Sequence, residues 1–131
     1  MATGLFSAIG AIFKAIRLAL MRSGINVGGT SGYPRIEIHS IIESEWLDKG
    51  MRLKQMTCIV ECLSTERLSD VFTMNEENLR RMLTEALSLD SGWQIISIIP
   101  GQAQELTETS ETQSIIYRLM QNVTIYIERL K

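Results

Sequence analysis

The sequence predicts an α+β fold, a two-layer sandwich in which two helices cover one face of a four-stranded, mostly antiparallel sheet. Two observations carry this prediction. Four segments alternate apolar and polar residues with the period of a strand, and two segments repeat apolar residues at steps of three and four, as a helix does. Their order is helix, strand, strand, helix, strand, strand, so two antiparallel hairpins joined by a helix can complete a single sheet.

Composition indicates one globular domain over residues 1–131. The chain is 45% hydrophobic and 21% charged, which is enough apolar material for a core. Its net charge of -2 provides no basic excess for phosphates, so a protein that binds nucleic acid by sequence is disfavoured. Cys58 and Cys62 lie on one face of a predicted strand, about 13 Å apart, which is too far for a disulfide. They are expected to be small buried side chains in a reducing compartment.

The first 22 residues predict an amphipathic helix. Its polar stripe recurs at steps of three and four, through Thr3, Ser7, Gly10, Lys14 and Arg17. Charges interrupt the apolar run and no basic residue precedes it, so neither a membrane span nor a signal peptide fits. A helix that packs on the domain is expected; binding to a membrane surface and packing on a neighbouring subunit are the alternatives. Residues 23–32 are rich in Gly without phosphate-loop spacing and predict a linker before a core at 33–131.

The first hairpin is predicted from two alternating segments. Tyr33 to Trp46 places isoleucines on one face and charged residues on the other, which is typical of a strand with one solvated face. Asp48, Lys49 and Gly50 supply a turn. Met51 to Leu63 then returns with its core residues on one face.

A helix and a strand follow. Val71 to Leu87 carries an apolar stripe opposite Arg80, Arg81 and several glutamates, which we expect to pair with each other. Ser69 with Asp70, or Thr73 with Glu76, could cap it. Trp93 to Ile99 predicts a branched, apolar strand that Pro100 and Gly101 stop. The polar stretch from Gln102 to Gln113 is expected to be an acidic loop, with Glu105, Glu108 and Glu111.

The final strand is the longest. Ser114 to Leu130 keeps one alternating phase, which only Gln121 interrupts. Fully extended it would span roughly 55 Å, against roughly 36 Å for the diameter of a compact chain of this length, so it bends sharply or reaches past its domain. The alternate faces of the strands carry enough apolar groups to predict burial against copies of the chain. These groups are Ile41, Ile59, Ile96, Ile98, Ile116, Met120 and Tyr126.

The sequence offers no catalytic or metal-binding group. His39 is the only histidine and is expected to be a solvated surface residue among Glu37, Glu43 and Glu45. Residues two apart on a strand lie ~6.6 Å from each other, too far to share one ion, so a metal site is rejected. No nucleophile with a base and no pair of carboxylates is recognisable, and we predict neither an enzyme nor a cofactor.

The arrangement resembles the tail-terminator and tail-completion proteins of tailed bacteriophages, over nearly the whole chain. The features that carry the resemblance are an N-terminal helix, a Gly-rich loop running into Tyr33-Pro34-Arg35-Ile36, a strand ending in Cys62-Leu63-Ser64, the helix Val71 to Leu87, a strand starting at Trp93, and a long final strand containing Tyr117-Arg118-Leu119-Met120-Gln121-Asn122-Val123-Thr124-Ile125-Tyr126-Ile127. The strongly apolar first helix and the long Gly loop depart from the commoner pattern of that family.

The resemblance implies a virion protein without catalytic activity, assembled in the host cytoplasm. Such proteins form a ring, commonly a hexamer, that caps the tail tube and docks the tail to the head connector. DNA would pass through the ring without specific binding, because an acidic lumen repels phosphates. Glu105, Glu108 and Glu111 are therefore expected to face the lumen or a ring partner, and Ile116, Met120 and Tyr126 to contact neighbouring subunits. The alternatives are another ring protein of the neck, a stopper or adaptor, and a dimeric cytosolic regulatory or ligand-binding domain.

Overall fold

The computed structural model describes residues 9–22, 24–27, 32–84, 89, 92–109, 111–112 and 114–130. Its elements in chain order are α1 (Ile9–Met21), β1 (Asn26–Val27), β2 (Arg35–Glu43), β3 (Leu53–Ser64), α2 (Leu68–Thr84), β4 (Trp93–Thr109) and β5 (Ile115–Arg129). The strands form one sheet in the order β1-β2-β3-β5-β4. The four long strands pair antiparallel, while β1 lies parallel to β2. The predicted α+β class is confirmed, as is the order of the two helices and the four long strands, to which β1 is added.

Both helices cover the same face of the sheet. α1 contributes Ile12, Ile16 and Leu20 to the core, which is formed by the apolar stripes of the helices and by every second residue of the central strands. The α2 and strand members of the core are Val71, Met74, Met82, Ile36, Met56, Cys58, Val60, Cys62, Leu119, Val123, Ile125 and Ile127. This side of the sheet is here called the covered face, and the opposite side the open face.

α1 follows the predicted pattern in the residues that the structure describes. Gly10, Lys14 and Arg17 of the polar stripe are exposed, while Thr3 and Ser7 lie outside the described residues. Asn26 and Val27, which the sequence assigns to the linker, instead form β1 and pair with Arg35 and Ile36. Within the described ranges, neither helix has the length and apolar character needed to cross a membrane.

The β2–β3 turn contains the predicted Asp48-Lys49-Gly50. The carboxylate of Asp48 accepts hydrogen bonds from the backbone amides of Arg52, at 2.9 Å, and Leu53, at 2.8 Å. These bonds favour the charged form, so they lower the pKa of Asp48.

Helix α2 begins at Leu68, earlier than the predicted Val71 and ahead of both candidate caps. Its exposed face carries the expected ion pairs, because Glu77 binds Arg80 at 2.5 Å and Arg81 at 2.8 Å. The hydrogen bond from Arg80 and the charges of both arginines lower the pKa of Glu77. The predicted end of the helix falls on residues 85–87, which lie outside the described residues.

β4 contradicts the prediction of a short strand followed by a loop. It continues through Pro100 and Gly101 to Thr109 and stays paired with β5 along its length. Proline is tolerated here because β4 is an edge strand, whose outward amides have no ladder partner to lose. The register shifts between Pro100 and Ala103, so the turn residues produce a bulge instead of an end.

One aromatic cluster joins the ends of the two hairpins. The rings of Trp46 and Trp93 stack with centroids 5.9 Å apart and planes at 11°. Lys54 Nζ lies 4.5 Å from the centre of the Trp46 ring, and the Arg129 guanidinium lies 5.3 Å from it. Lys54 is also ion-paired with Glu43. The buried ammonium group is thus compensated by a carboxylate and a ring face.

Candidate interaction surface

The open face is built from cross-strand rows, because residues directly opposite each other in neighbouring strands point to the same side. One row runs through Ile42, Thr57, Thr124 and Ile99, across all four long strands. Both isoleucines at its ends are exposed, Ile42 by 65% and Ile99 by 50%. The open face therefore presents apolar groups at its margins.

A chain of ionisable side chains crosses the centre of the open face. His39 Nε2 on β2 lies 2.8 Å from Glu61 Oε1 on β3, and the second oxygen of Glu61 lies 3.0 Å from Arg118 Nε on β5. Arg118 Nη1 lies 3.2 Å from Glu108 Oε1 on β4. One residue from each long strand takes part, so the network ties the whole sheet together on this side.

Glu61 is the most enclosed member of this network. Its side chain is only 6% exposed although neither α1 nor α2 lies on this face. A buried carboxylate is stable only when cations and donors compensate its lost hydration, and His39 and Arg118 lie on either side of it. The structure corrects the prediction for His39, which is half-buried and hydrogen-bonded instead of solvated. The other ring nitrogen of His39 lies 2.9 Å from Ser40 Oγ.

The predicted subunit contacts are on the open face but do not form one cluster. Ile116, Met120 and Tyr126 are all half-buried and belong to the alternate face of β5. Ile116 and Tyr126 are about 33 Å apart along the strand. Met120 lies between Glu61 and Gln104, close to the charged centre.

Two other isoleucines that the sequence assigns to the alternate face instead lie on the covered face, at the margin of the core. Ile41 and Ile98 pack against the hydrophobic core because bulges in β2 and β4 change the phase of each strand. Ile59 is opposite Asn122 and lies on the open face as predicted. Ile96 sits in the β4 bulge between Ile95 and Ser97 and is exposed.

The three glutamates that were expected in a loop are distributed around the end of the β4–β5 hairpin. Glu105 is opposite Leu119 on the covered side of β4 and is exposed. Glu108 is on the open side and binds Arg118. Glu111 is exposed in the turn. The structure therefore separates them onto two faces and a tip, and does not bring them together.

The hydrogen bonds of Gln121 explain why a polar residue interrupts the apolar alternation of β5. It is buried in the covered face, where its side-chain amide donates to the carbonyl oxygens of Gly101 and Asn122, both at 2.9 Å. Its own oxygen accepts a hydrogen bond from Asn75 Nδ2 at 3.1 Å. Gln121 thus holds the β4 bulge against α2.

Sequence reasoning missed the polar residues of α2 that lie in the core. Asn75 and Asn78 are buried, and Asn78 Nδ2 lies 3.2 Å from the Cys62 sulfur. The signal for them was their spacing, because they continue the stripe of Val71, Met74 and Met82.

Both cysteines are buried and free, as the sequence predicts. Burial raises the pKa of Cys58 to about 11. Burial, aided by the nearby charge of Glu61, raises the pKa of Cys62 to about 12. Thiols in this state are poor nucleophiles, since the thiolate is the reactive form. Among the described residues, no group of His, Cys, Asp or Glu is arranged to hold a metal ion.

Comparison with known proteins finds a similarity of fold. No family model matches the sequence, and no curated protein matches it. Among solved structures, the fold is similar to a chain from a structure described as the virion of a native gene transfer agent particle. The TM-score is 0.74 at 12% sequence identity, and the match covers 94% of this chain and 98% of the other. At this identity the match establishes a common fold, shared over almost the full length of both chains.

Proposed function

We propose that this chain is a structural protein of a phage-type virion, and specifically a tail terminator. In this role it forms a ring, a hexamer, that caps the finished tail tube and joins the tail to the head connector. DNA passes through the ring without being bound by sequence. The ring is part of the tail or neck and assembles in the host cytoplasm.

The observation that carries this proposal is the fold shared with the virion chain over 94% of the sequence. The resemblance of the helix and strand order to tail terminators points in the same direction and is the reason for proposing that specific role. The open face adds a physical reason for assembly, since it combines exposed apolar margins with a charged centre.

The open face is the proposed contact between subunits, through Ile116, Met120 and Tyr126. The hairpin end is the proposed lumen or partner surface, through Glu105, Glu108 and Glu111. Glu105 and Glu111 are exposed and can repel phosphates, whereas Glu108 is partly neutralised by Arg118. The acidic character of this surface therefore depends mainly on Glu105 and Glu111.

Electron microscopy of the purified chain mixed with tail tubes of the same particle tests the proposal. We expect a ring with a central hole at one end of each tube, and tubes of one defined length when the chain is present during their polymerisation. Tubes that polymerise without limit and carry no added density would overturn the terminator role.

A binding assay separates the terminator from another ring protein of the neck. The chain is immobilised and offered tail-tube protein in one experiment and portal or adaptor protein in another. A terminator retains the tube protein. Retention of the portal or adaptor alone would assign the chain to a stopper or adaptor position.

A further inference from the structure

The outer edge of β4 is regular and unpaired over its second half. β4 is the last strand of the sheet, and no strand in the described part of the chain pairs with its outer side. From Ala103 to Thr109 its register with β5 shows no shift, and the segment contains no proline and no lysine. Side chains from Ile99 to Thr107 are exposed on both faces. Natural sheets seldom leave such an edge without protection, because it is a template for another strand.

The rest of the sheet shows how an edge is normally blocked. β1 covers Arg35 and Ile36 at the opposite edge, and a bulge with Ser40 at a φ of 56° distorts β2 beyond them. In the first half of β4, two bulges and Pro100 likewise distort the edge and prevent regular pairing with another strand. The side chains of Gln121 and Asn122 also bind the carbonyl oxygens of Gly101 and Gln102 at the second bulge. The backbone distortions therefore stop at Ala103, and beyond it only the charges of Glu105 and Glu108 oppose pairing with another strand.

We propose that the segment from Ala103 to Thr109, here called the free edge, pairs antiparallel with the same segment of a second copy of this chain. The two copies are related by a two-fold axis through Leu106. This register pairs the whole segment: Leu106 faces its own copy, Glu105 faces Thr107, Glu108 faces Gln104 and Ala103 faces Thr109.

Charge selects this register. A two-fold axis perpendicular to the sheet keeps each side chain on its own face, so only registers centred on a residue are available. Centring on Glu105 or Glu108 would place like charges directly opposite each other, which is destabilising. Centring on Thr107 avoids this but shortens the paired segment. Only the axis at Leu106 separates all the glutamates and uses the full segment, and it joins two leucine side chains that are each 42% exposed.

This pairing does not rest on the proposed virion role. It occupies the backbone edge that carries Glu105 and Glu108, two residues of the proposed lumen or partner surface, and leaves Glu111, the open face and the helices uncovered. A strand pair of this length buries little surface, so we expect a dimer that forms at high protein concentration.

Cysteine cross-linking tests the register. In Leu106→Cys the two new thiols lie directly opposite each other, at a separation that suits a disulfide. The matched control Gln104→Cys lies on the same strand and face, but its copy is about 13 Å away. Under mild oxidation on a non-reducing gel, we expect the Leu106→Cys dimer to form roughly tenfold faster or more, because pairing raises the local thiol concentration. Equal rates for the two variants would overturn the register. The native cysteines are buried and contribute little background.

Sedimentation equilibrium tests the pair itself. Leu106→Lys places two ammonium groups opposite each other and should raise the dimer dissociation constant by roughly fivefold to tenfold. Leu83→Lys is the matched control, because it makes the same change at an exposed leucine of α2, in the other layer, and it should leave the constant unchanged. A wild-type chain that remains monomeric at its highest soluble concentration would overturn the proposal, as would equal effects of the two lysines. Circular dichroism checks that each variant is folded.

Discussion

The two faces of this sheet exclude water by different means. The covered face relies on a second layer, because two helices press apolar side chains onto alternate residues of β3 and β5. The open face has no second layer in the described part of the chain, yet Glu61 at its centre is buried. There the carboxylate lies between His39 and Arg118, the side chains of two neighbouring strands.

The difference indicates where stability and assembly reside. Burial of apolar side chains against helices contributes free energy of folding in proportion to the apolar area buried, and it depends on close packing. An ion-paired surface contributes less free energy but fixes which side chains are presented, and it stays soluble when no partner is bound. We therefore expect substitutions on the covered face to unfold the chain, and those on the open face to change its associations.

The largest effect is expected on the covered face. Ile125→Ala removes a fully buried side chain of β5 and should lower the free energy of unfolding by about 2 to 5 kcal/mol. Ile99→Ala on the open face is the control and should change it by less than about 0.5 kcal/mol. Urea denaturation of both variants measures the contrast. Equal losses would show that the two faces are buried to the same extent in solution.

A smaller loss is expected at the centre of the open face. Glu61→Gln keeps the shape of the side chain but leaves His39 and Arg118 beside a neutral group, and should cost about 1 to 3 kcal/mol. Glu108→Gln at the exposed end of the same network should cost less than about 1 kcal/mol. The measurement is again the free energy of unfolding. A Glu61→Gln variant as stable as the wild type would mean that the network does not hold the sheet together.

Assembly should respond more than stability to substitutions of the half-buried β5 side chains on the open face. Met120→Lys and Tyr126→Lys are expected to weaken ring formation on tail tubes while changing the free energy of unfolding by less than about 1 kcal/mol, since both positions are only half-buried. Leu83→Lys, exposed on α2 in the other layer, should leave assembly unchanged. Loss of folding in the first two variants, with assembly following it, would assign these side chains to the monomer.

The smallest effect on stability is expected from ionisation of the two cysteine thiols near neutral pH. With its pKa raised to about 11, only about one thousandth of Cys58 is ionised at pH 8, so alkylation of the native chain should be slow and should accelerate on unfolding. Because both thiol pKa values are raised in the folded chain, the free energy of unfolding should also depend on pH. Unfolded thiols ionise first, so stability from this source is present below about pH 9 and declines as pH rises toward 11. Fast alkylation of the native chain would show that the covered face opens.

The sequence was sufficient to predict an element where its buried residues recur with a single period. The alternation of β5 and the helical stripe of α2 are read directly from apolar positions, because a single layer of partners decides both. It was insufficient where pairing decides the structure. The residues after Ile99 are polar and include Pro100 and Gly101, yet β5 supplies a ladder along the whole of β4 and imposes a strand on them.

The polar network was equally hard to predict. His39, Glu61 and Arg118 lie far apart in sequence, and each alone resembles a residue of a solvated face. Their contact depends on the register of three strands, and the bulge in β2 cannot be placed from the residues. Gln121 was visible as an exception to the alternation, but its partners Asn75 and Gly101 were not.

The stacked tryptophans give the chain an optical signal of its own. They are the only two in the sequence, and they are close and parallel enough to couple electronically, which should produce an exciton couplet in the near- and far-ultraviolet circular dichroism. Trp93 and Leu106 are about 43 Å apart along β4, so events at the hairpin end should leave this spectrum unchanged. Loss of the couplet then reports separation of the two hairpins, and a fluorophore near Leu106 can report association in the same cuvette.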